Sequence, residues 1–223
     1  MTIFTALRKG LAVAAALAAL CLMSGGTNTA RAESLIPELE SIVSNGTDFT
    51  WTYSVLLTGN SRLDLTNQTG GPFDNFGVIY DFAGYVANSF TFLTGNGTVA
   101  TDWALTTQNS GPVPDLVSLP FPDNASIPNL VYEYTNADKV VEGQKEGVLR
   151  FTARSIFGGQ KLGSYSFQDT KTSPFADDGT RGFGGGTVVV PVPEPASLAM
   201  VGLGLIGIPG LMFVQRRRRA ANA

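Results

Sequence analysis

The sequence predicts an all-β protein, a single β-sandwich or jelly-roll-like domain flanked by an N-terminal signal peptide and a C-terminal transmembrane helix. Three observations carry this. Aromatic and β-branched residues alternate with period two through the middle of the chain. Gly, Asn and Pro recur between these runs at the spacing of turns. No internal stretch has a helical period.

The clearest strand is 49–58, FTWTYSVLLT. Phe49, Trp51, Tyr53, Val55 and Leu57 share one face, and Thr50, Thr52, Ser54, Leu56 and Thr58 the other. Gly59-Asn60 turns into a strand at 62–66. Strands are expected next at 76–82 and 89–93, with Gly95-Asn96-Gly97 as a hairpin turn into 99–106. Leu130, Tyr132 and Tyr134 alternate, as do Leu149, Phe151 and Ala153, with Arg150, Thr152 and Arg154 facing out. Tyr165 and Phe167 mark a further strand, and 187–190 closes the sheet. The run GFGGG at 182–186 reads as a flexible lead to the C-terminal tail. Strands at this spacing suit a sandwich or jelly roll, with Phe49, Trp51, Tyr53, Leu149 and Phe151 in its core.

Composition removes several kinds of chemistry. The only cysteine of the 223 residues is Cys21, and there is no histidine. Beyond residue 32 this excludes disulfides, Cys/His zinc sites, thiol nucleophiles and histidine-based triads. Residues 33–195 carry 18 acidic against 8 basic side chains, a net charge of −10. Such a segment is a poor partner for nucleic acid.

The N-terminus has the anatomy of an export signal. Arg8 and Lys9 precede an apolar run at 11–23, LAVAAALAALCLM, which is too short to span a bilayer. Ala30 and Ala32 form an A-x-A cleavage site before Glu33. The signal peptide is therefore expected at 1–32, with signal peptidase and the export machinery as partners.

At the other end, residues 196–214 are uncharged and mostly apolar. As a helix this stretch would extend roughly 28 Å, about the thickness of the hydrocarbon core. Arg216, Arg217, Arg218 and Arg219 come next, and the positive-inside rule keeps them cytoplasmic and the body outside. Pro193-Glu194-Pro195 lies just before the apolar run. Its prolines favour an extended backbone outside regular structure, the form a protease or transpeptidase accepts.

Val192-Pro193-Glu194-Pro195-Ala196-Ser197-Leu198, the Gly- and Leu-rich span and the four arginines together resemble a PEP-CTERM sorting signal. The resemblance implies processing by exosortase, a multi-pass membrane enzyme proposed to cleave near the motif. Such tails occur on exported proteins of Gram-negative-type bacteria that make exopolysaccharide. Transient inner-membrane anchoring, then the cell surface or extracellular matrix, is the route the resemblance implies. Exopolysaccharide is a candidate partner. The resulting plan is a signal peptide at 1–32, a β-rich domain at 33–182, a Gly/Val/Pro linker at 183–192 and the sorting signal at 193–219. The pieces Phe49-Thr50-Trp51-Thr52-Tyr53, Tyr80-Asp81-Phe82-Ala83-Gly84, Ile127-Pro128-Asn129-Leu130 and Phe151-Thr152-Ala153-Arg154-Ser155 also resemble the β-rich body of many PEP-CTERM proteins, which implies no particular activity.

Other motifs have plainer readings. Gly202-Leu203-Gly204-Leu205-Ile206-Gly207 fits G-x-G-x-x-G but has no strand before it, and reads as helix packing. The N-x-S/T triplets at Asn45, Asn67, Asn96 and Asn124 read as turns. Asp177-Asp178-Gly179 and Asp123-Asn124 could offer calcium ligands, but no loop has EF-hand spacing, and solvated acids are the simpler reading. No catalytic residue, cofactor or metal is assigned. The expected protein is an exosortase-processed surface or matrix protein whose body binds or supports. The alternatives are a carbohydrate-binding module, which needs exposed aromatics among Trp51, Trp103 and the tyrosines, and a hydrolase with two carboxylates converging in a cleft.

Overall fold

The computed structural model describes residues 35–193 except 72, 73, 116, 175 and 176. Eleven strands run in chain order: β1 (Leu35–Ser44), β2 (Phe49–Leu57), β3 (Ser61–Leu63), β4 (Asn75–Ile79), β5 (Thr91–Thr94), β6 (Trp103–Gln108), β7 (Asn129–Tyr134), β8 (Val141–Glu142), β9 (Lys145–Ser155), β10 (Gly159–Lys171) and β11 (Arg181–Val192). One 3₁₀ turn, Ala100–Asp102, is the only helical element among the described residues. No helix there is long and apolar enough to cross a membrane. The expected signal peptide and the expected transmembrane helix at 196–214 lie outside the described residues.

The strands form two antiparallel sheets, as the all-β reading anticipated. The first has the order β1-β2-β9-β5. The second runs β6-β7-β4-β10-β3-β8, and β11 also pairs with β10. β11 runs along β10 from Thr170↔Arg181 to Gly159↔Val192. The opposite edge of β10 is left to β4 at Tyr165–Gln168 and to β3 at Thr170–Lys171.

Both sheets share one aromatic core, because their inward faces carry the period-two residues. Trp51, Tyr53, Val55 and Leu57 of β2 and Leu149, Phe151 and Ala153 of β9 are fully buried. Phe151 meets rings from both sheets: Tyr53 at 5.4 Å and Phe90 at 5.0 Å on one side, Tyr132 of β7 at 5.6 Å on the other. Truncating so central a ring to alanine typically costs about 3–5 kcal/mol. The outward face of the first sheet is polar. Thr91 and Thr152 meet there at 3.0 Å, and Arg150 Nε donates to Glu40 at 2.8 Å.

Two expectations are corrected and one strand is added. Gly95-Asn96-Gly97 does not close a hairpin, because β5 lies in the first sheet and β6 in the second. The turn is instead pinned to the β9 side, where Asn96 N donates to Gly147 O at 2.8 Å and Thr98 Oγ1 donates to Val148 O. Residues 35–44, unassigned in the sequence, form the edge strand β1. Residues 183–192, expected as a linker, are the greater part of β11. The glycines there serve packing: a Cβ on Gly184 would stand 2.7 Å from Phe167 Cζ, so only glycine lets the strand lie across that ring.

Candidate functional site

The candidate site is the point where the C-terminal tail leaves the sandwich. The last residues of β11 are fastened from inside. Val188 and Val190 are buried in the shared core, and Tyr53 Oη donates to Val189 O at 2.9 Å. Pro191 sits opposite Gln160 and Val192 opposite Gly159. Proline lacks a backbone donor, and β11 lies at the edge of its sheet, where that loss is tolerated. Pro193, the first residue of the sorting motif, is exposed and stands one position beyond the strand.

The surroundings of Pro193 are built by the crossover from the first sheet to the second. β9 ends at Ser155 and β10 starts at Gly159, so residues 156–158 bridge the two sheets beside the tail exit. Four hydrogen bonds hold this bridge. Trp51 Nε1 donates to Phe157 O at 3.2 Å, and Ile156 N to Gly84 O at 2.9 Å. Phe157 N donates to Ser155 Oγ at 3.0 Å, which in turn donates to Ala83 O at 2.6 Å. A Cβ on Gly158 would come within 2.6 Å of Phe49 Cε1, so the bridge lies flat against that ring. Phe49, Ile156, Phe157, Gly158 and Pro193 line a cavity of about 410 Å³. Ile156 keeps 56% of its surface exposed. The arrangement sets Pro193 in a collar of apolar side chains on a hydrogen-bonded backbone. None of its side chains is titratable.

Of the sorting motif, only Pro193 falls within the described residues. Glu194, Pro195, the apolar stretch 196–214 and Arg216, Arg217, Arg218 and Arg219 lie outside them, as do the cleavage-site residues Ala30 and Ala32.

The remaining candidates are occupied by structural roles. Trp51, Trp103, Tyr53, Tyr80, Tyr132, Tyr134 and Tyr165 are buried and Tyr85 is half-buried against Phe82, so these residues form no exposed strip for stacking on sugar. Asp123 accepts from Asn129 Nδ2 at 3.1 Å and from Gly111 N at 3.3 Å. The neighbouring Asp81 accepts from Asn124 N at 3.0 Å. Burial pushes the Asp81 carboxyl above its ordinary value, with the charge of Asp123 adding to the effect. Together these groups pin the 111–129 loop onto the end of β4. Asp178 is taken up by Arg62, whose Nη1 donates to it at 3.1 Å. Among the described residues no group of three or more acids is arranged to hold a metal ion.

Sequence reasoning missed one centre. Arg62 and Asp64 are both buried, with Nε and Oδ2 in ionic contact at 3.1 Å. Thr66 N, Thr66 Oγ1 and Asn67 N all donate to Asp64 Oδ1, at 2.8, 2.9 and 3.0 Å. Burial works to raise the Asp64 carboxyl, but the bonds from Asn67 and Thr66 outweigh it and hold it below its ordinary value. Asn75 Nδ2 and Thr170 Oγ1 both donate to Asp64 O, at 2.9 and 3.0 Å. This network ties β3, β4 and the β10–β11 turn together at the end opposite the tail exit. The only local hint was Asp64 two residues before Thr66, the spacing of an Asx turn.

No curated protein matches the chain. A family model described as the PEP-CTERM protein-sorting motif matches residues 191–219. The match begins at Pro191, inside β11, and runs through the apolar stretch to the last arginine. The chain therefore carries a PEP-CTERM protein-sorting motif, the mark of an exported protein anchored in the membrane and sorted through exosortase.

Proposed function

We propose that this is a surface or matrix protein of a Gram-negative-type bacterium, whose β-sandwich body supports or binds and whose tail is removed by exosortase at the exit from β11. The carrying observation is the continuity of body and signal: the matched motif starts within the edge strand and emerges at Pro193 without an intervening linker. The arginines resist translocation, because passing them through hydrocarbon is costly. The chain then stalls with Pro193-Glu194-Pro195 at the outer face of the inner membrane. Proline disfavours helix and sheet interior in such a segment, and Glu194 supplies the charge an enzyme can read.

A supporting rather than catalytic body fits its construction. Both tryptophans and all tyrosines but the half-buried Tyr85 are spent on the core, and Asp81 and Asp123 on fastening a loop. Fractionation with a tagged body tests the sorting reading. Glu194→Ala should leave uncleaved protein in the inner membrane of an exosortase-bearing strain, and deletion of 196–219 should release the body to the periplasm. Wild-type processing and localisation of Glu194→Ala would reduce the tail to a membrane anchor.

A further inference from the structure

We propose that the apolar tip at Ile156–Phe157, with Phe49 beside it, is a lipid-docking surface that rests in the interface of the inner membrane while the tail is uncleaved. The inference builds on the sorting reading above and concerns how the body sits before processing. Three facts meet at this place.

The first is tether length. Pro193 is three residues from Ala196, where the uncharged apolar stretch begins. Fully extended, that connection spans at most roughly 10 Å. A tether of that length keeps the end of β11 within, or a few ångströms from, the headgroup layer, which is about 5–7 Å deep on each side.

The second is direction. The pairing Gly159↔Val192 puts the exit of the tail beside the 156–158 bridge, and Phe49↔Ser155 brings the start of β2 to the same end. Ile156, Phe157 and Phe49 therefore lie at the end of the sandwich where the tail leaves, with the polar 45–48 turn beside Phe49. The opposite end, with Asp64, Asp178 and Glu142 around Arg62 and Asp177 beside Lys171, is turned away.

The third is chemistry. Ile156 is more than half exposed, although it is held rigidly by its own amide on Gly84 O. The collar around Pro193 is lined by Phe49, Ile156, Phe157 and Gly158, none of them charged, and the nearest acid on β2's approach, Asp48, is paired with Arg154 at 3.2 Å. A rigid apolar tip with no bare charge suits the headgroup–acyl boundary, where exposed apolar surface leaves water.

Residues 33–223 contain no cysteine, so single labels can be introduced cleanly there. We would attach an environment-sensitive fluorophore to Ile156→Cys, Asp177→Cys or Leu205→Cys. Each labelled chain would be placed in vesicles of phosphatidylcholine and phosphatidylglycerol without enzyme, with quencher-bearing lipids added. The expected result is blue-shifted emission and lipid quenching at positions 156 and 205, with position 177 remaining in water. Quenching at 205 with position 156 as wet as 177 would overturn the docking while leaving the sorting reading intact. Position 156 becoming shielded only when exosortase is added would assign the tip to the enzyme and overturn the lipid assignment. An unquenched label at 205 would overturn the anchoring itself, and the docking with it.

Discussion

The two ends of the β10–β11 ribbon are stabilised by opposite means. At the turn end, ion pairs and carboxylate hydrogen bonds surround Arg62 and Asp64, and the connection between strands is long and polar. At the tail end, the strands are locked by Val188, Val190 and the hydrogen bond from Tyr53 to Val189, and the crossover presents apolar side chains. The contrast teaches where stability and exposure have been assigned. The polar end is a connected network of ion pairs and hydrogen bonds around Arg62 and Asp64. The apolar end is rigid in backbone, yet leaves Ile156 and Pro193 uncovered.

The strongest way to break this contrast is at the polar end. Arg62→Ala leaves Asp64, only 1% exposed, without its cation, and losing one partner of a buried pair costs roughly 3–5 kcal/mol. Ile156→Ser at the apolar end should stay within about 0.5 kcal/mol, as surface changes away from packing usually do. Urea unfolding of both variants checks the pair of expectations.

A second substitution asks whether the glycine run is a strand or a leash. In a flexible linker Gly184→Ala would be neutral or slightly stabilising, by about 0.4–1 kcal/mol through the unfolded chain. Against Phe167 in β11 it forces overpacking and should instead cost about 1–3 kcal/mol, read as a fall in the urea midpoint.

Acid should act on the polar end first. Asp64 and Asp102 are both held below the ordinary carboxylate value. At Asp102 burial works to raise it, but bonds from Asn136, the Val99 amide and Lys139 outweigh that. A depressed folded-state pKa gives stability that is present above the unfolded value and lost as pH falls through the folded one, here below about pH 4. Asp81 has the opposite sign: its raised value favours the protonated form in the fold, so acidification relieves its burial. Hydrogen exchange from neutral pH downward should therefore show β3 and the 172–180 turn opening before β11 near Val189. Simultaneous opening would contradict a division of labour between the ends.

Legibility in the sequence tracks the range of the forces involved. β2 and β9 were legible because each turns an apolar face to the core and a mostly polar, less buried face away from it, so burial writes period two into the chain. The tail was legible because its signal is local: proline stiffness, an apolar stretch and a charge cluster in fixed order. β1 was not, since an edge strand with Pro37, Glu38 and Glu40 buries too little to leave a pattern. β11 was obscured because its glycines answer to Phe167 on a neighbouring strand, a contact that local propensity does not encode. Asn96-Gly97 gave a true turn but a false hairpin, because turn chemistry does not say which sheet receives the next strand. The apolar collar combines Phe49, residues 156–158 and Pro193, which only the fold brings together.

The most direct test of the central claim, that the sorting signal joins the body at the end of β11, is the intact mass of the exported protein from strains with and without exosortase. The account predicts, in the presence of the enzyme, a chain that starts at Glu33, retains β11 and ends within the Pro193–Pro195 segment, and in its absence a chain that keeps Arg216–Arg219. A product cut inside 181–190, or one still carrying the arginines when the enzyme is present, would contradict it.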